Sequence, residues 1–567
     1  MKIEASFKEK IESRLKFVYK DEYNPQTLEK LLLLLKSFND QETSKVEKWN
    51  EQDSILITYG DSILPKDDKT SLQTLTGFLN EKLKGLISTV HILPFFPYSS
   101  DDGFSVIDFK QVNPDLGDWS DVKTLTESFD LMVDLVVNHI SQKSEWYQQY
   151  LKGEEPGKNY FIEASPATDL SNVVRPRSLP LLTPANTPNG EKHVWTTFSA
   201  DQIDLNFANQ DLLVEMIDIL LLYLNNNARI IRLDAIAFLW KEIGTTCLHL
   251  RETHEVVKLM RDVLEYIEPK IVVLTETNVP NKENLSYFGN HDEAHMVYQF
   301  SLPPLLLYAM YFGDSTFLTK WALSLPKLQS DETFFNFTAS HDGVGVRPLE
   351  GLVPNDGLMK LVEGMRNNGG FVNTKANKDG SHSPYELNIT YFDACSSSET
   401  GETSFQKKRF LSTQTIMMGM KGVPAFYIHS LLATPNYHEG VKETGMNRTI
   451  NRRKYNISEI DAVFENNESL QQAIFNELVR RIKIRKEHKA FHPNADQKIL
   501  DINQSLFVFA RGGNDEMIIC VSNVTEKEIS VALNDLGVTK NDMTDLISGD
   551  AIDEKIVLSP YQTVWLK

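Results

Sequence analysis

The chain has 567 residues, more than one compact core supports, so a large domain with smaller ones attached is expected. Its formal charge of −20 argues against a nucleic-acid partner, and its 41% hydrophobic content is that of an ordinary globular protein with no apolar run long enough for a membrane span. Cys247, Cys395 and Cys520 lie far apart with no CxxC pair, which argues against a disulfide framework or a zinc site. The first ten residues carry no apolar signal core, so a cytoplasmic protein is expected.

Residues 1–50 are mostly charged and helical in pattern, with Leu28 and Leu31 to Leu35 forming an apolar helix face or core segment. They predict a helical N-terminal extension packed on the main domain. From Ser54 short apolar runs alternate with helical ones. Strands are predicted at 54–59, 89–95, 131–137, 229–233, 271–275, 295–300, 334–339 and 423–428, with helices at 72–84, 119–128, 210–227 and 252–268. Eight strands with helices between them predict an α/β fold, a (β/α)8 TIM barrel over residues 51–140 and 207–490.

Two interruptions are too long for ordinary loops. Residues 141–206 predict an inserted domain after the third strand, and residues 343–401 a lid insertion after the seventh. Both follow strand ends on the side where barrel enzymes build their sites. After a helix at 469–486, short runs at 506–510, 516–521, 529–533 and 563–566 predict a C-terminal antiparallel β domain over residues 491–567.

Residues 228–238, Ala-Arg-Ile-Ile-Arg-Leu-Asp-Ala-Ile-Ala-Phe, end an apolar strand in a charged pair, Arg232 and Asp234. Burying that pair is expensive unless the ions face each other or a cavity. Alone it reads equally well as a structural salt bridge. Other strand ends add company: Asp134-Leu-Val-Val-Asn138-His139 after the third, Thr275-Glu276-Thr277-Asn278 after the fifth, Ser340-His341-Asp342 after the seventh. Paired carboxylates flanking a bond are the machinery of glycosyl transfer.

In order, these four segments resemble the signature regions of the α-amylase family of retaining glycoside hydrolases. The resemblance runs from Ser54 onward. It implies Asp234 as nucleophile, Glu276 as acid/base and Asp342 as transition-state stabiliser, with Arg232, His139 and His341 on the glucosyl unit. Arg232 lies two residues before Asp234 on one strand face, so it is expected to keep that carboxylate charged and lower its pKa. Glu276 is expected to be raised, as a proton donor must be.

The stretch His91-Ile-Leu-Pro-Phe-Phe-Pro-Tyr-Ser-Ser-Asp101-Asp102-Gly103-Phe104 is similar to the sucrose phosphorylase branch. By that match Asp101 and Phe104 cap a one-glucose pocket, and Gln202 and Arg448 join it. The branch moves glucose to inorganic phosphate. Arg177 and Tyr385 match its mobile-loop residues, and a guanidinium suits phosphate or carboxylate. At the acceptor side the chain departs from sucrose phosphorylases, with Asn278 for His, Glu386 for Gln, Phe238 for Tyr and Ser383-Pro384 for Asp-Leu. That pattern is closer to relatives acting on glucosylglycerate, where Asn278 and Glu386 would bind glycerate hydroxyls and Arg177 its carboxylate. Sucrose, sucrose 6′-phosphate and glucosylglycerol are alternative substrates. A hydrolase or transglucosylase on the same fold and a non-catalytic sugar binder are the rival readings. No cofactor and no metal are expected; the acidic stretches Asp101-Asp102 and 201–204 are the nearest approach to a cation site. The expected partners are a small sugar substrate and inorganic phosphate, with no nucleic acid and no membrane, and a homodimer is compatible with the sequence.

Overall fold

Eight short parallel strands close into a barrel: β1 (Ile55–Thr58), β2 (Thr89–Ile92), β3 (Asp130–Val136), β4 (Ala228–Asp234), β5 (Val272–Thr275), β6 (Met296–Tyr298), β7 (Thr333–Phe337) and β8 (Val423–Tyr427). The computed structural model describes residues 3–38, 47–176, 179–376, 381–513, 515–538 and 543–567. Neighbouring strands follow chain order, and β8 closes on β1. Helices cover the outer face and side chains fill the interior, so nearly every strand residue is buried. That two-sided burial is why the strands read as continuous apolar runs.

Register has a direct electrostatic consequence. Asp134 on β3 stands beside Arg232 on β4, and Arg232 beside Leu274 on β5. A charge pointing into the barrel is tolerable only if a neighbouring strand answers it. Here β3 does so.

Helices Ala5–Tyr19 and Pro25–Leu35 pack on the outside. Phe7, Ile11, Leu15 and Val18 recur at helical spacing and are buried. Phe7 stacks on Tyr266 with ring centroids 3.8 Å apart, while Arg14 donates to Glu255 and Asp262 at 2.7 Å each. Asn24 caps the second helix by accepting from the Gln26 N–H, ahead of Pro25. Its leucine run makes one stripe: Leu28, Leu31 and Leu35 are buried, but Leu33 is 66% exposed.

Both long insertions leave from the C-terminal ends of strands. After β3, His139–Ser141 pairs antiparallel with Gln202–Asp204, and Leu182–Thr187 with Gly190–Trp195. After β7, segments Val344–Gly345, His382–Asn388 and Phe371–Ala376 form an antiparallel sheet. Between them runs a helix, Asn355–Asn367, that the sequence reading lacks. Its glycines suggest a loop but serve close packing. A Cβ at Gly357 would lie 2.3 Å from the Tyr308 hydroxyl, and one at Gly364 2.5 Å from the Tyr311 ring.

The C-terminal sheet runs Gln497–Leu500, Leu506–Gly512, Met517–Asn523, Thr563–Leu566. One face (Phe507, Phe509, Cys520, Trp565) joins the barrel core, and the other (Leu506, Val508, Ile519, Val521) builds a second core. The strand predicted at 529–533 exists as Ile529–Ala532 but lies outside this sheet, paired with Lys555–Leu558. Alternation alone does not specify a partner. No helix of the described residues is long and apolar enough to cross a membrane.

Candidate active site

The ends of β4, β5 and β7 converge on one cavity. Of the residues singled out from sequence, Asp101, Phe104, His139, Gln202, Asp234, Glu276, Asn278, His341, Asp342, Tyr385 and Arg448 line it. Arg232 is buried behind Asp234, and Glu386 lines an adjoining recess shared with Asp101, Tyr385 and Arg448. Arg177 lies outside the described residues.

Arg232 divides its charge. Nη1 donates both to Asp134 and to Asp234 Oδ1, the latter at 2.7 Å, while Nε donates to the Tyr298 hydroxyl at 3.1 Å. His91 Nε2 lies 2.6 Å from the other Asp134 oxygen. Burial alone would raise the Asp134 carboxyl, but Arg232 and His91 override it and hold it at about 2. Asp234 receives only the remainder. Its carboxyl is pushed up rather than down: burial, then the negative charges of Glu276, Asp134 and Asp342, outweigh Arg232. Arg232 lowers it as expected, but the sum of burial and the neighbouring carboxylates prevails.

Ala235 takes a left-handed conformation, φ 52°, which ends β4 sharply and lets its N–H donate to Glu276 Oε2 at 3.1 Å. Glu276 is raised as expected, by burial and by Asp342, against Arg232 and that N–H. Asp234 and Glu276 therefore titrate as a pair that favours holding one proton. The ion pair to Arg232 stabilises Asp234 as the anion, which leaves the proton with Glu276.

Asp342 behaves oppositely. Burial raises it, but Arg448, His341 and Arg452 together hold it well below the usual carboxylate range. Arg448 Nη1 reaches Asp342 Oδ1 at 2.6 Å, and Arg452 donates to Asp102 at 2.6 Å and to the His341 carbonyl at 2.8 Å. Arg448 and Arg452 also approach Asp101, at 4.0 and 3.8 Å. Asp101 and Asp102 both have φ near +50° (53° and 49°), a backbone state costing about 1–3 kcal/mol per non-glycine residue. Ion pairs to the buried Arg452 and the half-buried Arg448 hold it in place.

His341 stacks flat on Phe104, centroids 4.5 Å apart at 5°, and burial pushes its imidazole down to about 3, so it is neutral. His341 Nδ1 is buried without a hydrogen-bond partner, as is Asn278 Oδ1. Such atoms in a cavity wall are completed by a polar ligand. His139 Nε2 lies 2.9 Å from the Phe104 carbonyl, to which Gln202 Nε2 also donates at 3.1 Å. Both side chains thus fix the Phe104 platform as well as lining the cavity.

Glu386 is more committed than its sequence position suggests. It accepts from the Gly343 N–H at 2.8 Å and Asn373 at 3.1 Å, and it pairs with Arg448 at 3.0 Å. The acidic stretches are likewise engaged: Asp201 by Ser99, Ser100 and Ser105, and Asp204 by Lys241 at 2.6 Å. Sequence reasoning missed Arg347, Arg452 and Asn373. Arg452 and Asn373 act through other side chains and leave no local pattern. Arg347 follows Asp342 in Asp-Gly-Val-Gly-Val-Arg, whose two glycines signal close backbone approach.

A family model described as the catalytic domain of alpha amylase matches residues 36–342, which takes in the strand ends of β3, β4, β5 and β7. The chain is 43% identical to a glucosylglycerate phosphorylase of Spirochaeta thermophila, with 97% of each chain covered. It is also 43% identical to one of Escherichia coli, over 99% of this chain and 100% of that one. The crystal structure of sucrose 6F-phosphate phosphorylase from Thermoanaerobacter thermosaccharolyticum matches with a TM-score of 0.75 at 25% identity, covering 91% of this chain and 99% of that one. A closed parallel barrel with three carboxylates at its strand ends, and a match over more than half the chain, lead to one conclusion: the protein belongs to the α-amylase family.

Proposed function

We propose that the protein is a retaining phosphorylase that cleaves α-glucosylglycerate with inorganic phosphate, giving α-glucose 1-phosphate and glycerate. The observation that carries this reading is the three-carboxylate cavity, with Asp342 held ionised beside a raised Asp234–Glu276 pair. Its support on substrate is the full-length likeness to two phosphorylases of that name.

In the first half-reaction the Asp234 carboxylate attacks the anomeric carbon, and the bond from that carbon to the glycerate oxygen breaks. Glu276 gives its proton to the departing oxygen, so glycerate leaves with its hydroxyl restored. Asp342 faces the ring that carries the developing positive charge; kept anionic by Arg448 and Arg452, it stabilises that charge. In the second half-reaction a phosphate oxygen attacks the same carbon from the vacated side. The ester to Asp234 breaks, and the phosphate proton returns to Glu276. Two inversions give net retention. The reaction takes place in the cytoplasm, in keeping with three buried, unpaired thiols, Cys247, Cys395 and Cys520.

The test is release of glucose 1-phosphate from glucosylglycerate, with glucosylglycerol and sucrose as comparison substrates. Glucosylglycerate should be preferred, and turnover should require phosphate. Free glucose released equally fast without phosphate would sink the phosphorylase reading.

A further inference from the structure

The cations around the cavity differ in one respect. Arg232 is answered by Asp134 and Asp234, Arg448 by Asp342 and Glu386, Arg452 by Asp102, and Lys241 by Asp204. Arg347 also lines the cavity but has no ion pair and no side-chain hydrogen bond among the described residues, and its Nε is buried without a partner. The histidine that bears on it offers no negative charge: burial, then His254 and Arg347, push the His249 imidazole down to about 4.

Its position is fixed by backbone. Val344 and Gly345 pair with Leu387 and Glu386, the Val346 N–H donates to the Tyr385 carbonyl at 3.0 Å, and a single turn, Arg347–Leu349, follows. Gly345 backs directly onto Asn278, since a Cβ there would lie 2.8 Å from the Asn278 amide nitrogen. One short segment thus sets an uncompensated guanidinium near an amide oxygen that lacks a donor.

We propose that Arg347 binds the carboxylate of the acceptor and makes the enzyme select glycerate over glycerol, an inference that rests on the glucosylglycerate reading above. Glycerate carries two hydroxyls besides its carboxylate, and one of them is the oxygen bonded to glucose. The hydroxyl that stays free can donate to Asn278 Oδ1 while the carboxylate takes the guanidinium in a two-pronged contact. A phosphate anion can meet the same guanidinium, so the effect of the substitution on the KM for phosphate tells which of the two anions takes it. Arg347 is a specificity-determining residue; no bond is made or broken at it.

The experiment compares the wild-type enzyme with Arg347→Gln in the synthetic direction. Glucose 1-phosphate is the donor, glycerate or glycerol the acceptor, and the KM for phosphate is measured in the reverse direction. The variant should lose about 100-fold in its glycerate-to-glycerol ratio of kcat/KM, mainly through KM, with glycerol turnover and phosphate KM changed less than about threefold. Arg347→Lys, which keeps the charge but not the fork, should recover part of the ratio and serves if the glutamine variant does not fold. An unchanged ratio overturns the proposal, and so does a phosphate KM that rises as much as the glycerate KM. A wild-type enzyme that prefers neutral acceptors would overturn the glucosylglycerate reading itself. Wild-type preference for glycerate that survives in the variant would overturn only the role of Arg347.

Discussion

On the wall of the cavity built by Asp234, Asp342 and Asp101, every arginine among the described residues has a carboxylate partner before any ligand arrives. On the wall built by Asn278 and Arg347, an amide oxygen and a guanidinium nitrogen are buried with no partner among the described residues. Docking a neutral sugar against the first wall breaks no ion pair. The second wall is completed only by a ligand that brings both a donor and an anion. Preorganised charge serves a transition state, which must find its field already in place. Uncompensated polarity serves selection, because the wrong ligand leaves it unpaired. On the proposed reading the two walls divide reaction and recognition between them.

The largest effect should come from breaking the first wall at its centre. Asp234→Asn removes the proposed nucleophile and should lower kcat/KM for phosphorolysis by about 10⁴-fold or more. Its fold should survive, because Arg232 keeps Asp134. Residual turnover within tenfold of wild type would show that Asp234 does not form the covalent bond. Glu276→Gln should cost about 10²–10⁴-fold on donors with a poor leaving group, and less on glucosyl fluoride, whose departure needs no proton. The wild-type pH profile should be a bell. Activity requires one proton on the Asp234–Glu276 pair, so it falls in acid as the second proton binds and in alkali as the first is lost. Because both groups are raised, the alkaline limb should lie above the ordinary glutamate value, and Glu276→Gln should abolish it.

The barrel and the reaction were legible because they rest on local patterns. Eight apolar runs mark strands, and a carboxylate just past a run such as Ile230–Leu233 marks a strand end facing a site. What was not legible depends on pairs distant in sequence. Arg232 alone implies a lowered Asp234, but Asp134, brought alongside by the β3–β4 register, takes much of its charge. Glu386 reads from sequence as an acceptor ligand, and its contacts with Gly343, Asn373 and Arg448 cannot be read there. Arg347 carries no signal of its own, since an unpaired cation is defined by neighbours that are missing. The glycines of Asn355–Asn367 misdirect for a related reason: the tyrosines that require them lie some 50 residues earlier.

The charge sharing behind the first wall can be tested through stability. Asp134 is held at about 2 against an ordinary 3.8, a difference on the order of 2 kcal/mol in favour of the fold. Because the folded value is depressed, that stabilisation is present above about pH 4 and is lost as pH falls toward 2. Asp134→Asn should therefore lower the denaturant-derived stability at neutral pH by about 2–4 kcal/mol. The deficit should shrink below pH 4. It should also shift the acid limb of the activity profile downward, because Arg232 then gives its whole charge to Asp234. A deficit independent of pH would mean that Asp134 acts by packing alone.

The mildest test is aimed at the second wall. Gly345 faces the Asn278 amide so closely that a Cβ would sit 2.8 Å from Nδ2 and 3.0 Å from Oδ1. The amide is short and its half-buried residue stands in the site's wall, so Gly345→Ala must displace Asn278 by a few tenths of an ångström. The backbone itself is not strained, since Gly345 is not among the positive-φ glycines. Stability should fall by about 1 kcal/mol or less. The preference for glycerate over glycerol should fall about threefold to tenfold, because the displaced oxygen no longer meets the hydroxyl squarely. Gly77→Ala is the control: it lies in helix Ser71–Lys82 with nothing within 4 Å, so it should leave activity unchanged and stabilise the helix by up to about 1 kcal/mol. If Gly345→Ala lowers stability while the preference stays at the wild-type value, Asn278 does not touch the acceptor. Selection would then rest on the cation alone, because the glycine would be there to let the strand pass and not to aim the amide.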